Sequence, residues 1–279
     1  MRFSTSSIVS FLPALAAAIQ PPTLDGFSIL FADDFTGTAG SSPKSANWNV
    51  ATAINTNNEV QSYTTSNSNL QISGGETIQF VPRKGATGIW SSGRIETVGA
   101  WTPTAGKVMV IQSSILLGDN AAANKQGLWP AFWALGDAMR HGTDWPLAGE
   151  IDIFEQVNGV PTAYGTVHCD ASACDEPNGL KATVAMPTEG FNTYGVRIDL
   201  TNSDWTQQTI QWQLNGVTYN TLTGATIADQ GIWATLAHSP LYILLNVAVG
   251  GDWPGSPNDA TLDGYGSMME VGYVAVYST

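Results

Sequence analysis

The sequence predicts an all-β fold, an antiparallel β-sandwich or jelly roll with one curved, concave face that forms a cleft. Short runs rich in β-branched and aromatic residues recur along the chain, and most are separated by Gly, Pro, Asn or Ser. Helical patterns are almost absent. The 279 residues show no internal repeat or low-complexity linker, so we expect one domain.

Six of these runs have the length of a strand. Each is rich in residues that favour a pleated, half-buried surface. In chain order they are NLQIS (69–73), TIQFVP (77–82), KVMVIQSSILL (107–117), YGVRIDL (194–200), LYILLNVAV (241–249) and MMEVGYVAVY (268–277).

A hairpin and one short helix complete the local predictions. In TIQWQLNGVTYNTL (209–222), Asn215-Gly216 lies between two alternating runs, which is typical of a two-residue hairpin turn. The one helical candidate is IWATLAH (232–238), which ends before Pro240.

The amino terminus is typical of a secretory leader. Arg2 precedes a short apolar run, and small residues at Ala16 and Ala18 favour cleavage after Ala18. The apolar run is too short to span a bilayer. We therefore expect a leader at 1–18 and a secreted, extracellular domain at 19–279.

Charge and cysteine content limit the partners and the compartment. The formal net charge of −13 disfavours nucleic acid and anionic membranes, so we expect a neutral partner. We also expect a monomer. Cys169 and Cys174 are the only cysteines, and a leader with two close cysteines predicts a local disulfide. Two free thiols are the alternative.

Three acids are crowded in AGEIDIFEQVNG (148–159) of this charge-poor chain. On a strand, Glu150 and Asp152 share one face, and the next position on that face is Phe154. A β-bulge after Ile153 would return Glu155 to the acidic face. The slip in the pattern would then keep all three carboxyl groups together.

Paired carboxyl groups on one strand face suit glycoside hydrolysis. One attacks the anomeric carbon and the other protonates the leaving oxygen, at a separation of about 5–6 Å in retaining enzymes. Two alternatives are a Ca²⁺ site, which would favour flexible loops, and a plain solvated face, which the neighbouring tryptophans disfavour.

GEIDIFE (149–155) resembles the bulged form of the active-site motif of glycoside hydrolase family 16, the β-jelly-roll laminarinases and lichenases. Further blocks are similar to that family in the same order. They are NNEVQSY (57–63), SSGRIET (91–97), GLWPAFWALG (127–136), GTVHC (165–169), NVAVGGDWPG (246–255) and VGYVAVY (271–277).

The resemblance implies a role for each candidate site residue. Glu150 would be the nucleophile, Glu155 the general acid/base and Asp152 the assisting acid between them. His168 would contact the sugar on the leaving-group side or tune Glu155. The further substrate-binding candidates are Trp133 and Trp145 on the donor side, Asn57 and Arg94 as hydrogen-bonding groups, and Trp253 as another wall of the cleft.

Several of these residues have a structural alternative. His168 could be a satisfied strand-end histidine, and Arg94 could pair with a structural acid. Aromatic residues of the WPAFW block could simply fill the core. Because alternation sends Phe132 and Trp133 to opposite faces, we assign Trp133 to the cleft and Trp129 to the scaffold.

One departure from the family bears on metal binding. Gly272 and Ala275 stand where the family often has an Asp and an Arg, and that Asp helps to hold a structural Ca²⁺ on the convex side. Asp33 and Asp34 are present, but a site lacking one carboxylate would bind weakly. We therefore assume no metal and expect no cofactor.

The resulting expectation is a secreted retaining endo-β-glucanase that hydrolyses β-1,3 or mixed β-1,3/1,4-glucans through a covalent glycosyl-enzyme. A transglycosylase or a β-galactan hydrolase on the same fold is an alternative. A non-catalytic β-glucan-binding protein is a further one, which the intact acid triplet disfavours.

Overall fold

Two antiparallel β-sheets dominate the computed structural model, which describes residues 19–187 and 190–279. The predicted leader at 1–18 lies outside the described residues. The two large sheets bury one common core between them, which confirms the predicted β-sandwich.

The first sheet contains eight strands. Seven form a continuous order, and β1 (Ser28–Asp33) pairs with the last strand of the chain. From edge to edge the seven are β16 (Val217–Thr223), β15 (Thr209–Leu214), β14 (Asn192–Asp199), β9 (Val108–Leu117), β18 (Met269–Ser278), β5 (Ile78–Phe80) and β4 (Leu70–Ile72).

The second sheet contains seven strands and carries the acid triplet. From edge to edge they are β13 (Leu180–Ala185), β12 (Thr162–His168), β11 (Glu150–Glu155), β10 (Leu128–Gly136), β17 (Leu241–Val249), β8 (Arg94–Thr97) and β2 (Trp48–Val50). We call the face of this sheet that points away from the core the open face.

Smaller elements lie outside the two large sheets. A three-stranded sheet consists of β3 (Gln61–Tyr63), β7 (Trp90–Ser92) and β6 (Arg83–Lys84). The α-helices are α1 (Gly224–Ile227) and α2 (Gln230–Ala237). Short 3-10 helices lie at Ala122–Asn124, Asp137–His141, Trp205–Gln207 and Tyr265–Ser267.

The hairpin and helix predictions are confirmed. Asn215 and Gly216 both have positive φ, 51° and 78°, as a two-residue hairpin turn between twisted strands requires. Helix α2 begins after Asp229, whose side chain accepts a hydrogen bond from the backbone N–H of Ile232 at 3.0 Å. None of the helices in the described ranges is long and apolar enough to cross a membrane.

The segment before β1 covers the outer face of the first sheet. Ile19, Leu24 and Phe27 pack against a buried group that includes Tyr273 and Tyr277 of β18. The Tyr277 hydroxyl donates a hydrogen bond to a backbone carbonyl of this segment at 2.9 Å. This apolar sheet surface is therefore covered by the chain itself.

Candidate active site

The acidic strand β11 contains a β-bulge between Asp152 and Glu155. In the register with β12, Asp152 pairs with Thr166 and Glu155 pairs with Tyr164. Three steps along β11 therefore face two steps along β12. The bulge brings Glu155 back to the face that carries Glu150 and Asp152, as the pattern predicted.

The bulge also directs two consecutive side chains into the core. Ile153 and Phe154 are 1% and 0% exposed. The ring of Phe154 packs on Tyr194 of the opposite sheet, with ring centroids 4.3 Å apart. The strand is thus anchored directly beside Glu155, and such anchoring limits how far a catalytic side chain can drift.

Burial and proximity raise the pKa values of all three acids. Asp152 and Glu155 are 4% and 6% exposed. Burial, and then the charge of Asp152, raise the pKa of Glu150 and of Glu155 well above the usual range. Burial, and then the charge of Glu176, raise the pKa of Asp152 to about 8. Because three ionised carboxylates repel each other in a low-dielectric site, the cluster retains protons near neutral pH.

Neighbouring donors and cations partly oppose that rise. Against the effect of burial, the charges of His168 and Arg94 lower the pKa of Glu150. Against the same effect, a 2.8 Å hydrogen bond from Trp129 Nε1 to Oε1 lowers the pKa of Glu155. The two glutamates therefore lie in different environments, and such a difference allows one to act as nucleophile and the other as acid.

Trp129 lies on the open face, so its assignment to the scaffold is wrong. Positions 129 and 133 are four residues apart on one strand and therefore share a face. Trp129 packs edge-on against Trp253, with ring centroids 5.4 Å apart, and Tyr164 packs on Trp253 at 4.9 Å. Trp253, 38% exposed, belongs to an aromatic group beside Glu155.

His168 is held between two carboxyl groups. In the register it lies opposite Glu150. Its Nε2 is 3.4 Å from Oδ2 of Asp152, and its Nδ1 is 2.7 Å from Oε2 of Glu176. The ring also packs on Trp145 at a centroid distance of 5.5 Å. Trp145 therefore lies beside His168, and its place on the donor side stays a prediction.

On the other side of β11, the side chains of Trp133 and Arg94 pack against each other. Trp133 Nε1 donates a hydrogen bond to Oδ1 of Asn246 at 2.8 Å. The guanidinium of Arg94 lies 4.9 Å from the centre of the Trp133 ring. Arg94 is 7% exposed, and no ion pair with it is found among residues 19–187 and 190–279. A structural ion pair therefore does not account for this buried cation.

Asn57 has an exposed side chain on the loop before β3. Its φ is 54°, and its backbone carbonyl accepts a hydrogen bond from the N–H of Asp252 at 2.8 Å. The backbone of Asn57 is thereby tied to the loop that carries Trp253. Its contact with a sugar stays a prediction.

The sequence analysis missed a buried polar chain behind Trp133. The Tyr63 hydroxyl donates to Oε2 of Glu59 at 3.1 Å and accepts from Nδ2 of Asn246 at 3.2 Å. Asn246 in turn accepts from Trp133, so this chain orients the indole. A glutamate within NNEVQSY of a charge-poor sequence was the signal that could have found it.

Comparisons with known proteins identify the family of this chain. Residues 112–231 match a family model described as the XgeA-like catalytic GH16 domain. The endo-1,3-β-glucanase of Streptomyces sioyaensis is 35% identical, with 93% of this chain and 99% of that chain covered and a TM-score of 0.87. The chain belongs to glycoside hydrolase family 16.

Two further relatives share nearly the whole domain. The endo-β-1,3-glucanase of Pyrococcus furiosus is 30% identical, with 91% of this chain and 96% of that chain covered and a TM-score of 0.72. The β-glucanase of Rhodothermus marinus is 27% identical over 261 residues, which are 90% of this chain and 85% of that protein. Against two longer curated relatives, the chain spans only 30% and 38% of their length.

The structural Ca²⁺ that family 16 suggests does not fit the residues present. A Cβ added at Gly272 would lie 2.8 Å from the Cβ of Ile19, so the segment before β1 takes that space. The Oδ2 of Asp33 accepts hydrogen bonds from Asn47 at 2.7 Å and from the Trp48 indole at 3.0 Å. A carboxylate already surrounded by donors is not free for a cation.

One group in the described part of this family 16 domain has the spacing of metal ligands. Donor atoms of Glu150, Asp152 and His168 all lie within 4.8 Å of one another. Two of the three, Glu150 and Asp152, are the paired acids of β11, and His168 is their neighbour on β12. We interpret this group as the catalytic cluster.

The predicted disulfide is confirmed. Cys169 and Cys174 are bonded, with Cα atoms 5.5 Å apart, and both are buried. Cys169 follows His168 directly in the chain. The short closed loop therefore begins at the end of β12, beside the catalytic cluster.

Proposed function

We propose that this chain is a secreted retaining endo-β-glucanase that hydrolyses β-1,3 or mixed β-1,3/1,4-glucans by double displacement. The observation that carries the proposal is the bulge in β11. It places Glu150, Asp152 and Glu155 on the open face, although the chain inserts two core residues between the last two. The endo-1,3-glucanase relatives support the linkage.

In the first step, an oxygen of ionised Glu150 bonds to the anomeric carbon as the glycosidic C–O bond breaks. Glu155 gives its proton to the leaving oxygen. Its raised pKa, caused first by burial and then by Asp152, keeps that proton available. Against the larger effect of burial, which raises the pKa of Glu150, the charges of His168 and Arg94 favour its ionised form, which the attack requires.

In the second step, Glu155 takes a proton from water, and the water oxygen replaces Glu150 at the anomeric carbon. Two inversions give net retention of the β-configuration. Asp152 lies between the two glutamates and raises the pKa of both by its charge, in addition to the larger effect of burial. It therefore assists without bonding to the sugar.

Aromatic and polar groups on both sides of β11 would hold the polymer. Trp133 and Arg94 form a flat cationic surface on one side, and Trp253 forms an aromatic wall near Glu155. Sugar faces carry C–H groups that pack on indole rings. A neutral glucan also suits a monomeric chain with a net charge of −13, because no charge on the polymer is repelled.

Secretion is proposed from the leader pattern at 1–18 and from the disulfide. Disulfides form and persist mainly in oxidising compartments. Expression with the natural leader, followed by amino-terminal sequencing of the protein in the medium, should give Ile19 as the first residue. Retention in the cell would contradict the proposal.

Product analysis tests the activity. The protein would be incubated with laminarin, lichenan, cellulose and a β-galactan, and the products would be sized. We expect oligosaccharides of several lengths from laminarin or lichenan and none from cellulose. Proton NMR of the first product should show the β-anomer, and an α-anomer appearing first would contradict the assigned roles. Longer products than the substrate would indicate transglycosylation.

A further inference from the structure

Glu176 connects the disulfide loop to the catalytic cluster. Its Oε2 lies 2.7 Å from Nδ1 of His168, and its Oε1 accepts a hydrogen bond from the backbone N–H of Cys169 at 2.9 Å. The side chain of Glu176 is 9% exposed. One carboxylate thus holds both the ring and the backbone at the end of β12.

The loop fixes the position of Glu176. The disulfide closes it, and the N–H of Cys174 donates to the carbonyl of Asp170 at 3.0 Å. The N–H of Glu176 donates to the carbonyl of Cys174 at 2.9 Å, and the N–H of Gly179 donates to that of Asp175 at 3.0 Å. Successive turns therefore direct the Glu176 side chain back towards β12.

The contact with Glu176 selects one arrangement of the imidazole. A carboxylate oxygen only accepts hydrogen bonds, so Nδ1 of His168 carries the proton in this contact. Nε2 is then the nitrogen that faces Oδ2 of Asp152, 3.4 Å away. A partner on one ring nitrogen commonly sets the tautomer and orientation that the other nitrogen presents.

We propose that Glu176 is a positioning residue for the catalytic acids: it holds His168 by Nδ1 so that Nε2 faces Asp152. This inference rests on the proposed function, since the acids are assigned their roles there. Glu176 acts through His168 and does not touch the sugar. The disulfide loop is then part of the active site's support.

The groups facing His168 define what a change at Glu176 should alter. The groups on β11 that face the ring are Glu150 and Asp152. The charge of Glu155 also interacts with His168, and Lys181 lies on β13, the strand next to β12. After burial, the charge of Glu176 is the cause that raises the pKa of Asp152. Removing that charge should therefore lower the pKa of Asp152.

The test compares Glu176→Ala and Glu176→Gln with Asp175→Asn. Asp175 is the adjacent acid of the same loop, has an exposed side chain and is a matched control for loss of charge. The sequence has only three histidines, so the His168 ring signals can be assigned by their loss in His168→Gln. Nitrogen-15 NMR of the ring, kcat, KM and the pH profile would be measured on the full-length secreted protein.

We expect the Nδ1–H signal of His168 in the wild type and in Asp175→Asn, and its loss in Glu176→Ala. We expect kcat of Glu176→Ala to fall roughly 10- to 100-fold, less than the loss of a general acid itself, with KM changing less than about threefold. Glu176→Gln keeps the shape and one acceptor. Its pH profile should differ from that of Asp175→Asn, because Asp152 loses the charge of Glu176, which after burial raises the pKa of Asp152.

Two results would overturn the inference. One is an unchanged Nδ1–H signal in Glu176→Ala, and the other is a kcat equal to that of Asp175→Asn in an active enzyme. If Glu176→Ala does not fold, Glu176→Gln must show the altered pH profile and an altered Nδ1 signal, or the inference fails. If the wild type cleaves no glucan, the proposed function fails, and the NMR comparison alone decides whether Glu176 orients His168.

Discussion

The indole Nε1 of Trp129 donates a hydrogen bond to Oε1 of Glu155, 2.8 Å away. A hydrogen bond to a carboxylate favours the ionised form, so this bond opposes the rise in pKa caused by burial and by Asp152. It therefore limits how strongly the acid holds its proton, and it leaves Oε2 free to carry that proton.

Trp129→Phe should remove this bond and raise the pKa of Glu155 further. A net hydrogen bond is worth about 0.5–1.5 kcal/mol, so the alkaline limb of kcat/KM should move up by roughly 0.5–1 pH unit. Trp253→Phe is the matched control, because it alters the same aromatic group without touching the carboxylate. An unchanged limb in Trp129→Phe would show that the bond does not tune the acid.

Replacing each of the two glutamates by alanine should reduce activity in a different way. Glu150→Ala should abolish turnover, because no covalent intermediate can form. Glu155→Ala should be slow on polysaccharide and recover partly on an aryl β-glycoside, whose leaving group needs little protonation. Added azide should then yield a β-glycosyl azide, identified by mass spectrometry and NMR. Azide rescue of Glu150→Ala instead, with an α-product, would reverse the assignment.

Trp133→Ala and Trp145→Ala should raise KM without unfolding the domain. Truncation removes the indole surface on which a sugar face packs. Trp145 is 41% exposed, so little core packing is lost there, whereas Trp133 also loses its bond to Asn246. KM and the melting temperature would be measured together. A fall of several degrees in the melting temperature would identify that residue as core.

Cys174→Ser should reduce activity more than stability. A disulfide closing so short a loop contributes about 2 kcal/mol by the chain-entropy relation. Freeing the loop should also release Glu176 from His168, so kcat should fall several-fold while the domain stays folded at 25 °C. Urea unfolding and kcat would be compared in the same preparation. A loss of stability with full activity would show that the disulfide loop does not support the active site.

The stability of the domain should fall as pH rises towards 8. The pKa of Asp152 is raised from 3.8 to about 8, chiefly by burial and then by the charge of Glu176. Its stabilising contribution is full below the unfolded value and is lost as pH rises through the folded value. In Asp152→Asn, the free energy of unfolding should depend less steeply on pH, and its slope should change by up to about 1.4 kcal/mol per pH unit. Urea unfolding from pH 4 to 9 measures both slopes, and parallel curves would contradict the expectation.

The alternation of side chains along strands predicted much of the site. Acidic and apolar residues alternate along β11, and the break in that alternation predicted the bulge that returns Glu155 to the face of Glu150. The same bulge buries both Ile153 and Phe154. The same rule places Trp129 on the face of Trp133. Applying it consistently would have found Trp129.

Residues that act from loops or through partners were harder to predict. Glu176 lies outside any periodic run, and the pairing of two cysteines does not show where a carboxylate between turns will point. Glu59 lies in a recognised block, but the polar chain that it begins runs through nearby Tyr63 to Asn246, which is 183 residues from Tyr63 in the sequence. Such contacts follow from tertiary packing, which no local pattern encodes.

The segment from Ile19 to Phe27 has a consequence for how the protein can be shortened. A version begun at Ser28, the first residue of β1, would keep every strand of both sheets. It would also expose the apolar outer surface around Tyr273 and Tyr277 that the segment covers. Exposed apolar patches favour self-association, so the trimmed protein should be less soluble although its active site is complete.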